Sequence, residues 1–269
     1  MALEDLKVKT MAELAANGET AEVLFWVGCA GSFDDRAQKI TRSFVKILNN
    51  VGINFAILGK EENCTGDPAK RAGNEFLYQM QAMTNIQVLN GYNIKKIVTT
   101  CPHCFNIIKN EYPELGGNYE IMHHSQFLQS LLEEGKLKVE GGGFEGKTIT
   151  FHDPCYLGRG NGEYEAPRDL LQTLDTDIVE MKRAKSKGFC CGAGGAQIFK
   201  ESEPGNKEIN DERMEDVEEV KADVVATGCP FCMTMLTDGV KSKGKEGKTR
   251  ILDLAELIAE SNGLNTENN

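Results

Sequence analysis

The chain is short of several things, and each shortage excludes something. No stretch approaches the roughly 18 consecutive apolar residues of a membrane-crossing helix. Basic residues are outnumbered, 30 Lys and Arg against 41 Asp and Glu, for a net charge of −11. That balance argues against nucleic acid or an anionic membrane surface as a general partner. The N-terminal sequence MALEDLKVKTMAELAANGE has neither the basic opening nor the apolar run of a signal peptide. A cytoplasmic protein is therefore expected, peripheral to an inner membrane only through a membrane-bound partner. The glycine-rich stretch Cys191-Gly192-Ala193-Gly194-Gly195 is followed by no P-loop lysine, which weighs against a phosphate cradle. There is no ferredoxin-type C-x2-C-x2-C run, so electrons entering or leaving any redox centre need a second protein.

Cysteine, by contrast, is abundant, with nine among 269 residues. In a reducing cell such cysteines are ligands more often than disulfides, and an odd number fits a full disulfide set poorly. Their spacing shows that the chain is written twice. Cys29 and Cys155 are 126 residues apart, as are Cys64 and Cys190, while Cys101 and Cys104 match Cys229 and Cys232 at an offset of 128. The surroundings agree: Thr99-Thr100-Cys101-Pro102-His103-Cys104 aligns with Thr227-Gly228-Cys229-Pro230-Phe231-Cys232.

Each repeat has the same coarse order. A short apolar strand (23–27, then 148–151) runs into the first cysteine. A helix (35–49, 166–174), a second strand (54–58, 177–181) and a Gly-bearing loop with cysteine come next. A longer helix (68–90, 207–221) and a third strand (96–99, 223–226) then lead into a Cys-Pro-x-Cys turn that opens a helix. Such alternation predicts an α/β fold, a tandem duplication of a Rossmann-like parallel-sheet unit. Every cysteine follows the C-terminal end of a strand, the edge where open α/β sheets place their sites. The expected organisation is a helical extension over 1–20, a first repeat over 21–142, a second over 143–263, and a disordered tail over 264–269, with the join near the Gly141-Gly142-Gly143 turn.

Thiolates select zinc, Cu(I) or iron–sulfur clusters. Four of them, Cys29, Cys64, Cys101 and Cys104, suit tetrahedral zinc or a four-iron cubane. The second repeat has five: Cys155, Cys190, Cys191, Cys229 and Cys232. Neither zinc nor a simple cubane uses a fifth thiolate. The second set therefore implies an expanded cluster, or one cysteine kept for redox chemistry. In the first repeat Thr65 stands where Cys191 stands in the second. Gly66, Gly192, Gly194 and Gly195 let the backbone approach closely and point N–H groups at sulfur. His152, three residues before Cys155, is placed to supply a proton, and His103 to tune the neighbouring centre. His123 and His124 are expected to face the first set. The plain alternative for each is a hydrogen-bonded histidine at the sheet rim. Asp153 and Arg159 flank Cys155, and the run Glu212–Lys221 reads as a solvated helix face.

The doubled pattern resembles the cysteine-rich CCG domains of heterodisulfide reductase and of the iron–sulfur subunits of glycolate and lactate oxidases. The resemblance spans about Val23 to Gly263. It rests on the complete five-cysteine motif, with Gly192 and Pro230, and on the phrases His152-Asp153-Pro154-Cys155 and Glu62-Asn63-Cys64-Thr65-Gly66-Asp67-Pro68. It implies a noncubane [4Fe-4S] cluster on Cys155, Cys190, Cys191, Cys229 and Cys232. With Thr65 in place of a cysteine, the first site is expected to hold a cubane [4Fe-4S] cluster, a smaller cluster, or zinc. The function implied is an oxidoreductase subunit moving electrons to or from a thiol or disulfide, with a ferredoxin-domain iron–sulfur subunit or a flavoprotein as partner. Two other readings stand beside it: a relay in a flavin-linked organic-acid dehydrogenase complex feeding quinone, and a zinc-stabilised scaffold without catalysis.

Overall fold

The computed structural model describes residues 6, 8–140, 142–202 and 204–265. Two parallel-sheet units are built in succession. The first opens with β1 (Lys9–Thr10), α1 (Met11–Ala16), β2 (Val23–Trp26), α2 (Gly28–Phe33), α3 (Asp35–Asn50) and β3 (Phe55–Ile57). It continues through α4 (Asp67–Arg71), α5 (Glu75–Gly91), β4 (Lys96–Thr99), α6 (Pro102–Asn110), β5 (Glu120–His123) and α7 (His124–Glu133). The second opens with β6 (Thr148–Phe151), α8 (Gly158–Asn161), α9 (Glu165–Gln172) and β7 (Asp177–Ile178). It ends with α10 (Ile209–Val220), β8 (Val224–Thr227), α11 (Pro230–Ser242), β9 (Arg250–Asp253) and α12 (Leu254–Ser261). The sheets share the orders β3-β2-β4-β5 and β7-β6-β8-β9, and every pairing is parallel. Central strands such as Val23–Trp26 and Val224–Thr227 are buried at every position. That is why they read as unbroken apolar runs rather than as alternation.

Four details differ from the sequence reading. The N-terminal extension is not simply a helix. Its strand β1 pairs with β3 and adds a fifth, edge strand to the first sheet. Among its described residues only the short α1 is helical, opened by a Thr10–Glu13 capping box; residues 1–5 and 7 lie outside the described residues. Second, the helix expected over 68–90 is two, α4 and α5. Gly73 takes φ +84° between them, and Asn74 caps α5 by accepting from the Leu77 amide. Third, β7 covers two residues where five were expected, and Met181 leaves the ladder to enter the core. Fourth, of the tail, Leu264 packs against the core and Asn265 bonds to Ser43 and Lys46. Residues 266–269 and Gly141 of the expected join lie outside the described residues.

The units share a core cluster. A single apolar cluster contains Phe25, Phe44 and Phe127 of the first unit together with Ile149, Leu170 and Leu257 of the second. The helical contacts are reciprocal: α3 packs on α12, and its counterpart α9 packs on α7, the counterpart of α12. The pairing is thus that of a two-fold interface within one chain. Arg36 of α3 adds a two-toothed ion pair to Glu256 of α12, both contacts at 2.7 Å.

Phe44 sits at this seam, fully buried, with its ring 5.0 Å from that of Phe25 and 5.8 Å from that of His124. Phe44→Ala is expected to cost about 3–5 kcal/mol. Urea unfolding followed by fluorescence and by circular dichroism checks this. One coincident, weakened transition is expected; two separate transitions would contradict a shared core.

Candidate metal centres

The chemistry-bearing residues reach the sheet rims by the same local device in both units. Cys101 and Cys229 end their strand segments in extended conformation and serve as N-caps of α6 and α11, and Pro102 and Pro230 occupy the first helical turn. Proline there gives up an N–H that would have no intrahelical partner. The loops bearing Cys64 and Cys190 turn through Gly66 at φ +90° and Gly192 at φ +98°. A side chain at Gly66 would also drive a Cβ to 2.8 Å from the Tyr78 ring. These equivalent glycines donate their amides to sulfur: Gly66 to Cys64, and Gly192 to Cys190 at 3.3 Å.

All nine cysteines are free thiols, and they gather in two sets. In the first, Cys29 hydrogen-bonds to Cys64 and Cys104 to Cys101, and Cys29 and Cys64 act electrostatically on Cys104. In the second, the hydrogen bonds link Cys155 to Cys190, Cys190 to Cys191, Cys191 to Cys232 and Cys232 to Cys229. The Cys191 and Cys232 sulfurs are 3.3 Å apart. In both sets the Cys-Pro-x-Cys pair is buried, and the first two cysteines are half-buried. A cavity of about 380 Å³ opens onto Cys29 and Cys64. Gly194 comes near Cys155, since a Cβ there would lie 4.0 Å from its sulfur, whereas Gly195 takes φ +66° with open space around it.

So many thiols at one spot share protons. The hydrogen bond from Cys29 brings Cys64 down to about 6, and the same bond raises Cys29. Hydrogen bonds from Cys155 and Cys191 bring Cys190 down to about 2, while Cys155 rises. Burial opposes ionisation of Cys229, but contacts with Cys232 and His103 bring it down to about 5. A donor set dominated by sulfur, with backbone N–H groups beside it, fits a thiophilic metal or cluster in each unit.

Thr65 is buried, and its hydroxyl lies 3.9 Å from the Cys104 sulfur. Its carbonyl accepts from the Tyr112 hydroxyl at 3.1 Å, while Asn85 bonds to that hydroxyl and to the Cys64 carbonyl. Glu62 binds the Val27 and Gly28 amides at 3.0 and 2.6 Å and so clamps the Cys29 turn. Burial raises Glu62 to about 7. Neither the Asn85–Tyr112 brace nor the Glu62 clamp is visible in the sequence. The only available signal was the acidic residue two positions before Cys64.

The histidines divide differently from the expectation. His123 and His124 occupy the seam between units, not the first thiol set. His123 Nε2 lies 2.9 Å from the Gly228 carbonyl, and His124 Nε2 lies 2.9 Å from Asp253. His103 bonds to Asp67 and to Cys229. His152 Nδ1 accepts from Arg213 Nε at 3.0 Å. Since Arg can only donate, the ring proton sits on Nε2, a buried atom with no hydrogen-bond partner among the described residues. One ring nitrogen is within 4.8 Å of the Cys191 and Cys232 sulfurs. Burial first, then the Arg213 charge, hold His152 down at about 3.

Arg213 also corrects the reading of Glu212–Lys221 as a solvated face. Arg213 and Asp216 are fully buried and paired at 2.9 Å, so one side of α10 serves the second site. Asp153 grips Arg168 through both carboxylate oxygens, at 2.8 and 3.1 Å, and Arg159 bonds to the Gly188 carbonyl. Among the described residues no helix is long and apolar enough to cross a membrane.

Comparison with known proteins places this architecture. The family model for the cysteine-rich domain, CCG, matches twice, over residues 23–109 and 149–237. The "Probable iron-sulfur-binding oxidoreductase FadF" of Bacillus subtilis is 46% identical over 258 residues, covering 96% of this chain and 36% of its own length. The "EtfAB:quinone oxidoreductase" of Syntrophomonas wolfei is 42% identical, covering 95% of this chain and 37% of its own. One subunit of the dihydromethanophenazine:CoB–CoM heterodisulfide reductase of Methanosarcina barkeri is 35% identical, with 92% and 61% covered. The chain thus spans little more than a third of the first two relatives.

The raised thiols dictate how metal binding responds to pH. Cys29, Cys104, Cys155, Cys191 and Cys232 hold protons that they must lose to ligate. Binding therefore releases protons, and affinity rises with pH. Titrating the metal-free chain with zinc in weak buffer is expected to acidify the solution. A chelator is expected to extract more metal at about pH 6 than at about pH 8. Metal retention independent of pH would show that the thiols do not ligate.

Proposed function

The chain belongs to the cysteine-rich CCG-domain family, and on that premise we propose that it is the iron–sulfur electron-transfer part of a heterodisulfide-reductase-like oxidoreductase. The second site is the working centre. One observation carries the reading: five thiols of the second unit meet in one hydrogen-bonded set, with backbone N–H donors among them. Cys155, Cys190, Cys191, Cys229 and Cys232 would hold a noncubane [4Fe-4S] cluster there. Cys29, Cys64, Cys101 and Cys104 would hold a cubane or smaller iron–sulfur cluster in the first unit, or zinc. When bound, such clusters supply one-electron transfer. The protein's own part is to hold the sulfurs, to present the Gly66 and Gly192 amides, and to keep Cys101, Cys104, Cys229 and Cys232 from water. His152 is fixed as a neutral N–H donor beside Cys191 and Cys232, a role that needs no proton transfer.

The partner is a ferredoxin-domain subunit or a flavoprotein, and the substrate class at the second site is a thiol or disulfide. A second reading has the same electron transfer end at quinone, within a flavin-linked complex on the cytoplasmic face of a membrane. It is favoured by the greater identity to the relative named a quinone oxidoreductase than to the heterodisulfide reductase relative. Turnover with reduced viologen and diverse disulfides separates the two readings.

Anaerobic purification with iron and acid-labile sulfide analysis is expected to give about four of each for the second site. Zinc without sulfide would leave only a structural scaffold. Cys191→Ser is expected to abolish or change the electron paramagnetic resonance signal of the second site and leave that of the first. An unchanged second-site spectrum would sink the five-thiolate assignment. Thr65→Cys is expected to move the spectrum of the first site toward that of the second.

A further inference from the structure

The second thiol set is not completed by the second unit. His103 belongs to the first unit's Cys-Pro-x-Cys turn, between Cys101 and Cys104, yet its ring bonds outside that pair. Nδ1 lies 2.9 Å from Asp67 Oδ2, and the side chain is hydrogen-bonded to Cys229. The second unit holds the ring: Tyr156 lies against it with centroids 4.5 Å apart, and Phe231 meets it edge-on at 5.0 Å. Tyr156 follows Cys155, and Phe231 separates Pro230 from Cys232. Asp67, at the start of α4, is held in turn by Arg71 at 3.1 Å. His103 and Asp67 are 8% and 4% exposed, so water competes little for either contact.

The donor–acceptor inventory settles what the ring does. A carboxylate only accepts, and so does a thiolate bound to metal. An imidazole placed between the two presents a nitrogen to each, and against an acceptor-only thiolate that nitrogen is the donor. His152, on the same thiol set, faces a donor, Arg213, and stays neutral. The two imidazoles therefore meet one site on different terms, His152 beside a donor and His103 beside a carboxylate, and His103 comes from the other unit.

We propose that His103, oriented by Asp67, is a positioning residue lent by the first unit to the second site. It places an N–H donor on Cys229, which makes the group bound there easier to reduce and harder to lose. N–H donors near cluster sulfur raise its potential. The redox consequence rests on the iron–sulfur reading above; the contact with Cys229 does not.

The test uses the full chain, prepared anaerobically, with His103→Phe, His103→Gln and Asp67→Asn. Phenylalanine keeps the packing between Tyr156 and Phe231 but removes the donor. Glutamine keeps a donor. At the wild-type midpoint potential of the second site, the reduced-to-oxidised ratio in His103→Phe is expected to fall on the order of tenfold. That corresponds to about 59 mV for one electron. His103→Gln and Asp67→Asn should fall by less, and the midpoint of the first site should stay in place. In parallel, metal release to a chelator is followed by alkylation of freed Cys229 and Cys232 against freed Cys101 and Cys104. His103→Phe should speed release at the second pair selectively. An unchanged midpoint and release rate at the second site in loaded His103→Phe overturns the proposal, as does a larger change at the first site. Should the wild type hold zinc and no sulfide, the iron–sulfur reading fails, and the chelator arm alone decides the proposal. If His103→Phe does not fold, the glutamine and asparagine variants decide it by the same two readouts.

Discussion

Thiols packed within hydrogen-bonding reach cannot all ionise, because like charges at such distances repel strongly outside bulk water. The rest of the structure answers that constraint. Protons are shared unevenly, so that Cys190 falls to about 2 while Cys155 and Cys191 rise. Backbone amides at Gly66 and Gly192 offer their positive ends to sulfur. A bound cation would relieve the remainder, and its binding would be linked to proton release. The parallel sheets matter because they deliver strand ends, with their cysteines, to one rim.

Duplication doubles this arrangement, and the seam makes the two copies interdependent. His123 ties the first sheet to the Gly228 carbonyl, one residue before Cys229, and His103 reaches Cys229 itself. The reciprocal packing of α3 on α12 and of α7 on α9 holds these contacts in register. The copies are equal as scaffolds and unequal as sites. Where the second unit supplies Cys191, the first supplies Thr65, a buried hydroxyl near Cys104 whose carbonyl is braced by Tyr112 and Asn85.

Much of the fold was legible because parallel strands buried on both faces leave unbroken apolar runs, and the cysteine spacing marked where each run ends. The break at Gly73 was hidden because helix formers such as Ala72 and Glu75 stand close on both sides, and one glycine inside a helical pattern is ambiguous; the capping residue Asn74 was the available signal. The edge strand Lys9–Thr10 carries no alternation that two residues could show. The run Glu212–Lys221 misled for a different reason. Composition counts charges, whereas burial depends on which side of the helix meets the sheet, and Arg213 and Asp216 neutralise each other inside.

From the sequence alone came two thiol sets, their attachment to strand ends, and their inequality at Thr65. These follow from local periodicity and from the register of a repeat, both of which are one-dimensional. Tertiary structure alone decided which imidazole serves which set. His103 lies between two first-set cysteines in sequence but bonds to a second-set sulfur, and His152 meets Arg213 across 61 positions of chain. Such contacts arise where the two units close on each other. Spacing along the chain carries no record of that closure.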